Sequence, residues 1–219
     1  MTNELDLMRN YPKTKRDVNA RVEIKSEEHR LIARQFGKEF FDGSRDTGYG
    51  GFSYNERFWQ PVIPDFQSHF GLTSESSVLD VGCAKGFMLV DMKKLIPGIK
   101  VKGVDISSYA IENAHPDIAN DVSIASCDEL PFEDNSCDVV ISVTTIHNLD
   151  YEGCIRSLKE IERVSKKGAF ITVDAYRDEE EKRRMYAWNL TAKTILHVDE
   201  WRELFEKAGY TGNYYWFMP

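Results

Sequence analysis

Asp80, Gly82 and Gly86, with Asp105, Asp128 and His147 further along, are the residues whose types and spacing could do chemistry. Residues 78–86 read Val-Leu-Asp-Val-Gly-Cys-Ala-Lys-Gly. Two glycines let the backbone turn sharply and approach a ligand with no Cβ in the way, which is the requirement of a nucleotide-type cofactor site. The spacing is not the dinucleotide fingerprint G-x-G-x-x-G, and no phosphate-binding lysine-serine pair follows it. Asp105 stands 25 positions after Asp80, close to the roughly 20-residue offset at which an acid reaches a ribose in doubly wound folds. His147, with an ordinary pKa near 6.5, has the chemistry of a general base at neutral pH.

These residues need elements that deliver them to one edge. Val78, Leu79 and Val81 form a short apolar run suited to an interior parallel strand, and residues 87–95 read as the helix after it. Residues 101–105 are a second strand; Ser107 is positioned to cap a helix to about Ala114, where Pro116 stops it. Residues 122–125 form a third strand, and residues 137–143, apolar on both faces, a fourth. An amphipathic helix over 151–164 and a fifth strand over 169–173 complete the alternation, which demands a parallel sheet. His147 leaves the C-terminal end of the fourth strand, where ligands bind in open α/β sheets.

The glycine run and the landmarks after it resemble class I S-adenosylmethionine-dependent methyltransferases over about residues 75–175, with residues 78–86 as motif I. The resemblance implies a doubly wound, mostly parallel sheet with an N-terminal helical lid, and S-adenosylmethionine as cofactor. It implies a binding set of Asp80, Gly82, Cys83, Ala84 and Gly86 under the amino acid part, Asp105 and Ile106 at the ribose, Cys127, Asp128 and Glu129 beside the adenine amino group, and Val143. His147 is then the catalytic candidate, as a base or as a wall of the methyl-donor pocket.

Residues 1–74 are expected to form a tail, helices and lid, and residues 75–219 the cofactor-binding core of one structural domain. Residues 1–22 are charge-rich (Lys13, Lys15, Arg16, Asp17, Arg21) and predict a mobile or surface-draped tail. Ser26 caps a predicted helix over 27–41. The glycine-aromatic stretch 46–54 follows, with Arg57, Phe58 and Trp59 opening another helix. Tyr49, Tyr54, Arg57 and, past strand five, Tyr176 are acceptor-binding candidates, beside Asp174 and Arg177. Arg57, a charge among aromatics, must reach solvent or meet an anion. Downstream, residues 178–185 predict a charged helix, 199–208 a helix stopped by Gly209, and 210–218 a last strand. The family usually has two more strands after strand five, the last antiparallel. Here residues 190–197 supply the sixth, or the seventh is missing.

The chain has 219 residues, 42% hydrophobic, with 28 basic against 36 acidic residues and a net charge of −8. That content buries one core, and the acidic balance argues against the basic face of a nucleic-acid binder. No apolar run approaches the length of a membrane span, so a cytoplasmic protein, monomer or homodimer, is expected. Cys83, Cys127, Cys137 and Cys154 show no C-x-x-C pairing, so buried thiols and no metal are expected. The Asn/Asp-Pro-Pro-Tyr/Phe signature of nucleobase amine methylation is absent after strand four. A small soluble acceptor is left: a sugar nucleotide, an amino acid derivative or, by analogy, an envelope polysaccharide precursor. The rivals are a non-catalytic S-adenosylmethionine-binding protein and a nicotinamide-dependent oxidoreductase, which the missing dinucleotide fingerprint disfavours.

Overall fold

A computed structural model describes residues 2–12, 26–50 and 52–219. The basic residues expected in the tail, Lys13 to Arg21, lie outside them. In chain order the elements are β1 (Asn3–Glu4), α1 (Glu27–Ala33), α2 (Lys38–Phe41), α3 (Ile63–Phe70), β2 (Ser77–Val81), α4 (Phe87–Leu95), β3 (Lys100–Asp105), α5 (Ser108–Glu112) and β4 (Val122–Ile124). Then come β5 (Cys137–Val143), α6 (Tyr151–Val164), β6 (Ser165–Tyr176), α7 (Glu179–Trp188), β7 (Leu196–His197), α8 (Val198–Ala208) and β8 (Asn213–Phe217). One sheet runs in the order β1-β8-β6-β5-β2-β3-β4, with β7 paired to β6, and every pairing among the described residues is parallel. Strand order reverses at β2, which pairs with β3 on one side and β5 on the other. That reversal opens a crevice beyond the strands' C-terminal ends, where β2 delivers its glycine turn.

The period of two along β2 decides which layer each residue enters. Leu79 and Val81 join the core under α6 and α8, whereas Val78 joins the core under α3 and α4. Val139 and Ile141 of β5 face α3 and α4, and Val140 faces the opposite layer. Fully buried anchors stand in both: Trp201, Leu158 and Phe205 on one side, Phe66, Leu89 and Met92 on the other. Each such side chain contributes about 1.5–3 kcal/mol on leaving water.

The flanks depart from the sequence-based expectations. The helix expected over 27–41 is two. Ser26 caps α1 as foreseen, but Phe36 takes a left-handed φ of 49° and Gly37 caps the separate α2. The helix expected at Arg57 begins at Ile63, after turns. Part of the predicted tail is structural: Leu5 N donates to Tyr214 O (2.9 Å), Leu7 is buried, and Tyr11 packs edge-on to Trp59 at 5.2 Å. At the far edge, residues 190–197 supply only the two-residue β7, and no antiparallel strand closes the sheet. α8 returns the chain to the start of β6, so β8 runs with β6, and β1 takes the edge.

Candidate active site

The β2–α4 turn is held by its own backbone. The amides of Gly82 and Cys83 both donate to Val104 O (2.8 and 2.9 Å), and Gly86 N donates to Cys83 O (2.8 Å). Gly82 has φ +83°, and a Cβ there would collide with the Thr145 side chain; Gly86 has φ +76°, and a Cβ would meet Ile118. Ala84, between them, is itself left-handed at φ 51°. The cradle therefore needs glycine at both ends for conformation and for space.

Two acids meet there. Asp80 is 95% removed from solvent (5% exposed) and its carboxylate has no hydrogen-bond partner among the described residues. Burial, with the nearby Asp105 charge, pushes its pKa up to about 8. Such a group is a ready site for an ammonium. Asp105 accepts from Ala84 N at Oδ2 (2.8 Å) and Ser107 N at Oδ1 (2.9 Å). Burial raises its pKa, and those amides oppose the rise. Ile106 beside it is 56% exposed, an apolar surface presented to whatever enters.

The third-strand landmark is less open than expected. Asp128 accepts from Ser126 Oγ and from Arg156 Nη2 (2.9 Å) and Nε (3.2 Å). The Ser126 bond first and Arg156 second hold its pKa low. The Cys127 thiol turns to Ser157 of α6 (3.3 Å), where burial pushes it up to about 11, and Cys83 packs inward against Gly103. Glu129 is exposed, and Val143 is half-buried at the end of β5.

His147 is buried in a short turn of 3-10 helix after β5. Its Nδ1 accepts from Asp174 N (3.0 Å), so the neutral ring carries its proton on Nε2, which faces Asp174 Oδ1 at 3.7 Å. Burial lowers its pKa, and the Asp174 charge only partly restores it. Nδ1 is taken up by the Asp174 amide, which ties the β5 turn to β6, while Nε2 lies beyond hydrogen-bond distance of the Asp174 carboxylate.

The N-terminal segment is bolted to motif I. Lys85, 6% exposed, donates to Asp42 Oδ1 (2.5 Å) and Phe52 O (3.0 Å), and Tyr109 donates to Asp42 Oδ2 (2.8 Å). Desolvation pushes the Asp42 carboxyl up, but the Lys85 and Tyr109 bonds outweigh it and hold it low. Ser107 Oγ donates to Phe36 O. Lys85, Asp42 and Ser107 were not among the sequence candidates. A lysine inside a glycine turn signals a buried cation, but nothing in sequence names a partner 43 positions away.

The aromatic candidates divide. Tyr49 stacks on Phe40 (5.3 Å), and its pKa is raised by burial, with Tyr11, Asp42 and Asp105 adding to the rise. Tyr176 ends β6 edge-on to His197 (5.7 Å). Tyr54 instead turns to α4, donating to Asp91 Oδ1 (2.5 Å) and meeting Lys94 Nζ (3.0 Å). Arg57 is exposed with its guanidinium 4.7 Å from the Phe58 ring, the solvent outcome of the two foreseen. No group of metal-binding side chains occurs among the described residues, and the four cysteines are unpaired thiols.

Residues 79–173 match the model of the methyltransferase domain. A tRNA (carboxymethyluridine(34)-5-O)-methyltransferase of Arabidopsis thaliana is 32% identical over 145 residues, 65% of this chain and 33% of that protein. The sterol 4-C-methyltransferase strm-1 of Caenorhabditis elegans is 33% identical over 114 residues, 47% of this chain and 32% of its own. The chain spans about a third of the length of these two curated relatives. A solved S-adenosylmethionine-dependent methyltransferase from Archaeoglobus fulgidus shares the fold, with a TM-score of 0.55 at 22% identity over 78% of this chain and 72% of that one. Domain match, sheet order and glycine cradle agree that residues 79–173 form a methyltransferase domain, on the fold it shares with that solved S-adenosylmethionine-dependent methyltransferase.

Proposed function

We propose that this protein transfers a methyl group from S-adenosylmethionine to a small acceptor, of the size of a sugar nucleotide or an amino acid derivative. One observation carries the reading: a buried Asp80 whose carboxylate makes no hydrogen bond to another described residue, beside a cradle that a Cβ would fill. An ammonium beside a nucleoside is the chemistry that fits such an acid. Asp80 would hold the amino group, the Gly82–Gly86 backbone would pass beneath the amino acid part, and Asp105 would accept from the ribose with lone pairs its amide donors leave free. Ile106 would pack on the base. When bound, the cofactor supplies an electrophilic methyl on a sulfonium whose leaving group is a neutral thioether. The chain's task is then alignment and exclusion of water. Lys85 and Ser107 hold the N-terminal segment down on the cofactor loops, which supports its reading as a lid.

The relatives' names span a tRNA and a sterol, so likeness does not choose the acceptor. Favouring a small one is a cavity of about 520 Å³ between the N-terminal segment and the chain after α7, within the usual size range of small-molecule sites. A second reading, cofactor binding without transfer, is favoured by the burial of His147 and the use of its Nδ1 by the Asp174 amide. Calorimetric titration with S-adenosylmethionine, S-adenosylhomocysteine and NADH tests the binding. Micromolar affinity for the first two and none for NADH is expected, and NADH binding alone overturns the proposal. Label transfer from methyl-labelled cofactor to an acceptor panel separates enzyme from binder.

A further inference from the structure

We infer that the acceptor carries an anionic oxygen group, a carboxylate or a phosphate, which seats on Arg34 with Arg30 and Lys193 in the cavity between α1 and the segment after α7. This rests on the methyltransferase reading. The cavity is lined by Glu27 and Arg30 of α1, by Arg34 at its C-cap, and by Tyr186, Lys193 and Ile195 from the opposite wall. Three cations face one acid there, in a chain whose net charge is −8. That acid is already used: Glu27 Oε2 accepts from Arg30 Nη1 at 3.0 Å. Arg34 has no such partner among the described residues, and its Nε is buried with no hydrogen bond there. A desolvated guanidinium N–H left unpaired is costly, and its planar fork matches carboxylate and phosphate oxygens.

The cavity's walls also stand where an acceptor must come. The amides of Lys193 and Thr194 both donate to His147 O (3.0 Å each), just past the end of β5. On the other wall, two residues after Arg34, Phe36 O receives the Ser107 hydroxyl just past β3. Backbone bonds thus tie both walls of the cationic cavity to loops at the C-terminal ends of β3 and β5. Its size of about 520 Å³ is that of a small-molecule site.

The test titrates the full chain, saturated with S-adenosylhomocysteine and also without it, with pyrophosphate, glutarate and, as a cationic control, choline. At least one anion should bind in the millimolar range or tighter, and choline should not; which anion binds assigns phosphate or carboxylate. Arg34→Gln should weaken the anion about tenfold or more, while S-adenosylhomocysteine affinity changes less than about twofold. Should that variant misfold by circular dichroism, Lys193→Gln, at an exposed position, supplies the readout with a smaller loss. Absence of binding by both anions, equal binding of choline, or unchanged affinity in the folded variants overturns the inference. So does a tRNA stem-loop that binds through these arginines more tightly than either small anion. Anion binding without S-adenosylhomocysteine binding would sink the cofactor reading and leave the cavity's role standing; the reverse would do the opposite.

Discussion

The two walls of the crevice are built differently. On the cofactor wall, backbone does the positioning: turn amides close on Val104 O, and Asp105 is held by amides of residues 84 and 107. On the wall proposed to face the acceptor, side chains from distant segments meet: Lys85 with Asp42, His147 with Asp174, and Arg34 in one cavity with Lys193. A wall made of local backbone tolerates little substitution but is specified by a few residues. A wall made of long-range side-chain contacts can change its ligand without changing the fold, which is how one family serves unlike acceptors.

That contrast can be broken, most sharply at Gly82. Gly82→Val puts a β-branched residue at φ +83° and a side chain onto Thr145, costing at least about 3 kcal/mol; titration should show cofactor binding abolished, and retained binding would mean the cradle is not set by its backbone. Asp105→Ala should weaken S-adenosylmethionine by about 1.5–3 kcal/mol, and unchanged affinity would remove it from the ribose.

Asp80→Asn sharpens the comparison by separating stability from binding. The folded chain keeps the Asp80 proton up to about pH 8, whereas an unfolded aspartate loses it near pH 4. The native state thus holds the extra proton, and this group's contribution to stability falls as pH rises from about 4 to about 8. Thermal melts without cofactor should find the asparagine variant stabilised by about 2 kcal/mol at pH 8 relative to the parent, less so at pH 5, with weaker S-adenosylmethionine binding. A parallel pH profile in both proteins would refute the buried acid.

On the other wall the effects are smaller. His147→Ala removes the acceptor for Asp174 N and should cost about 1–3 kcal/mol of stability, and for a positioning role the shape of the pH-rate profile should not move. Loss of one limb of that profile would restore His147 as a base. Lys85→Met should speed amide exchange across residues 42–52 while cofactor affinity shifts by about 1 kcal/mol or less; protection equal to the parent's would show that the ion pair does not hold the segment.

By itself, the sequence determined the alternating elements, the cofactor turn and its acids. Helix 87–95 and strand 137–143 are legible because apolar periodicity and glycine act over a few residues. It also carried Ser26 and Ser107 as caps, whose bonds reach only three residues ahead. Tertiary structure alone decided the break at Phe36, the parallel β8 with β1 on its edge, the dispersal of Tyr54 and Arg57, and the partners of Lys85 and His147. Those depend on which distant segments come to lie side by side. A hydrogen bond between positions 85 and 42, or 147 and 174, leaves no periodic trace in the chain, because its energy is realised only once the sheet has brought both ends to the same edge.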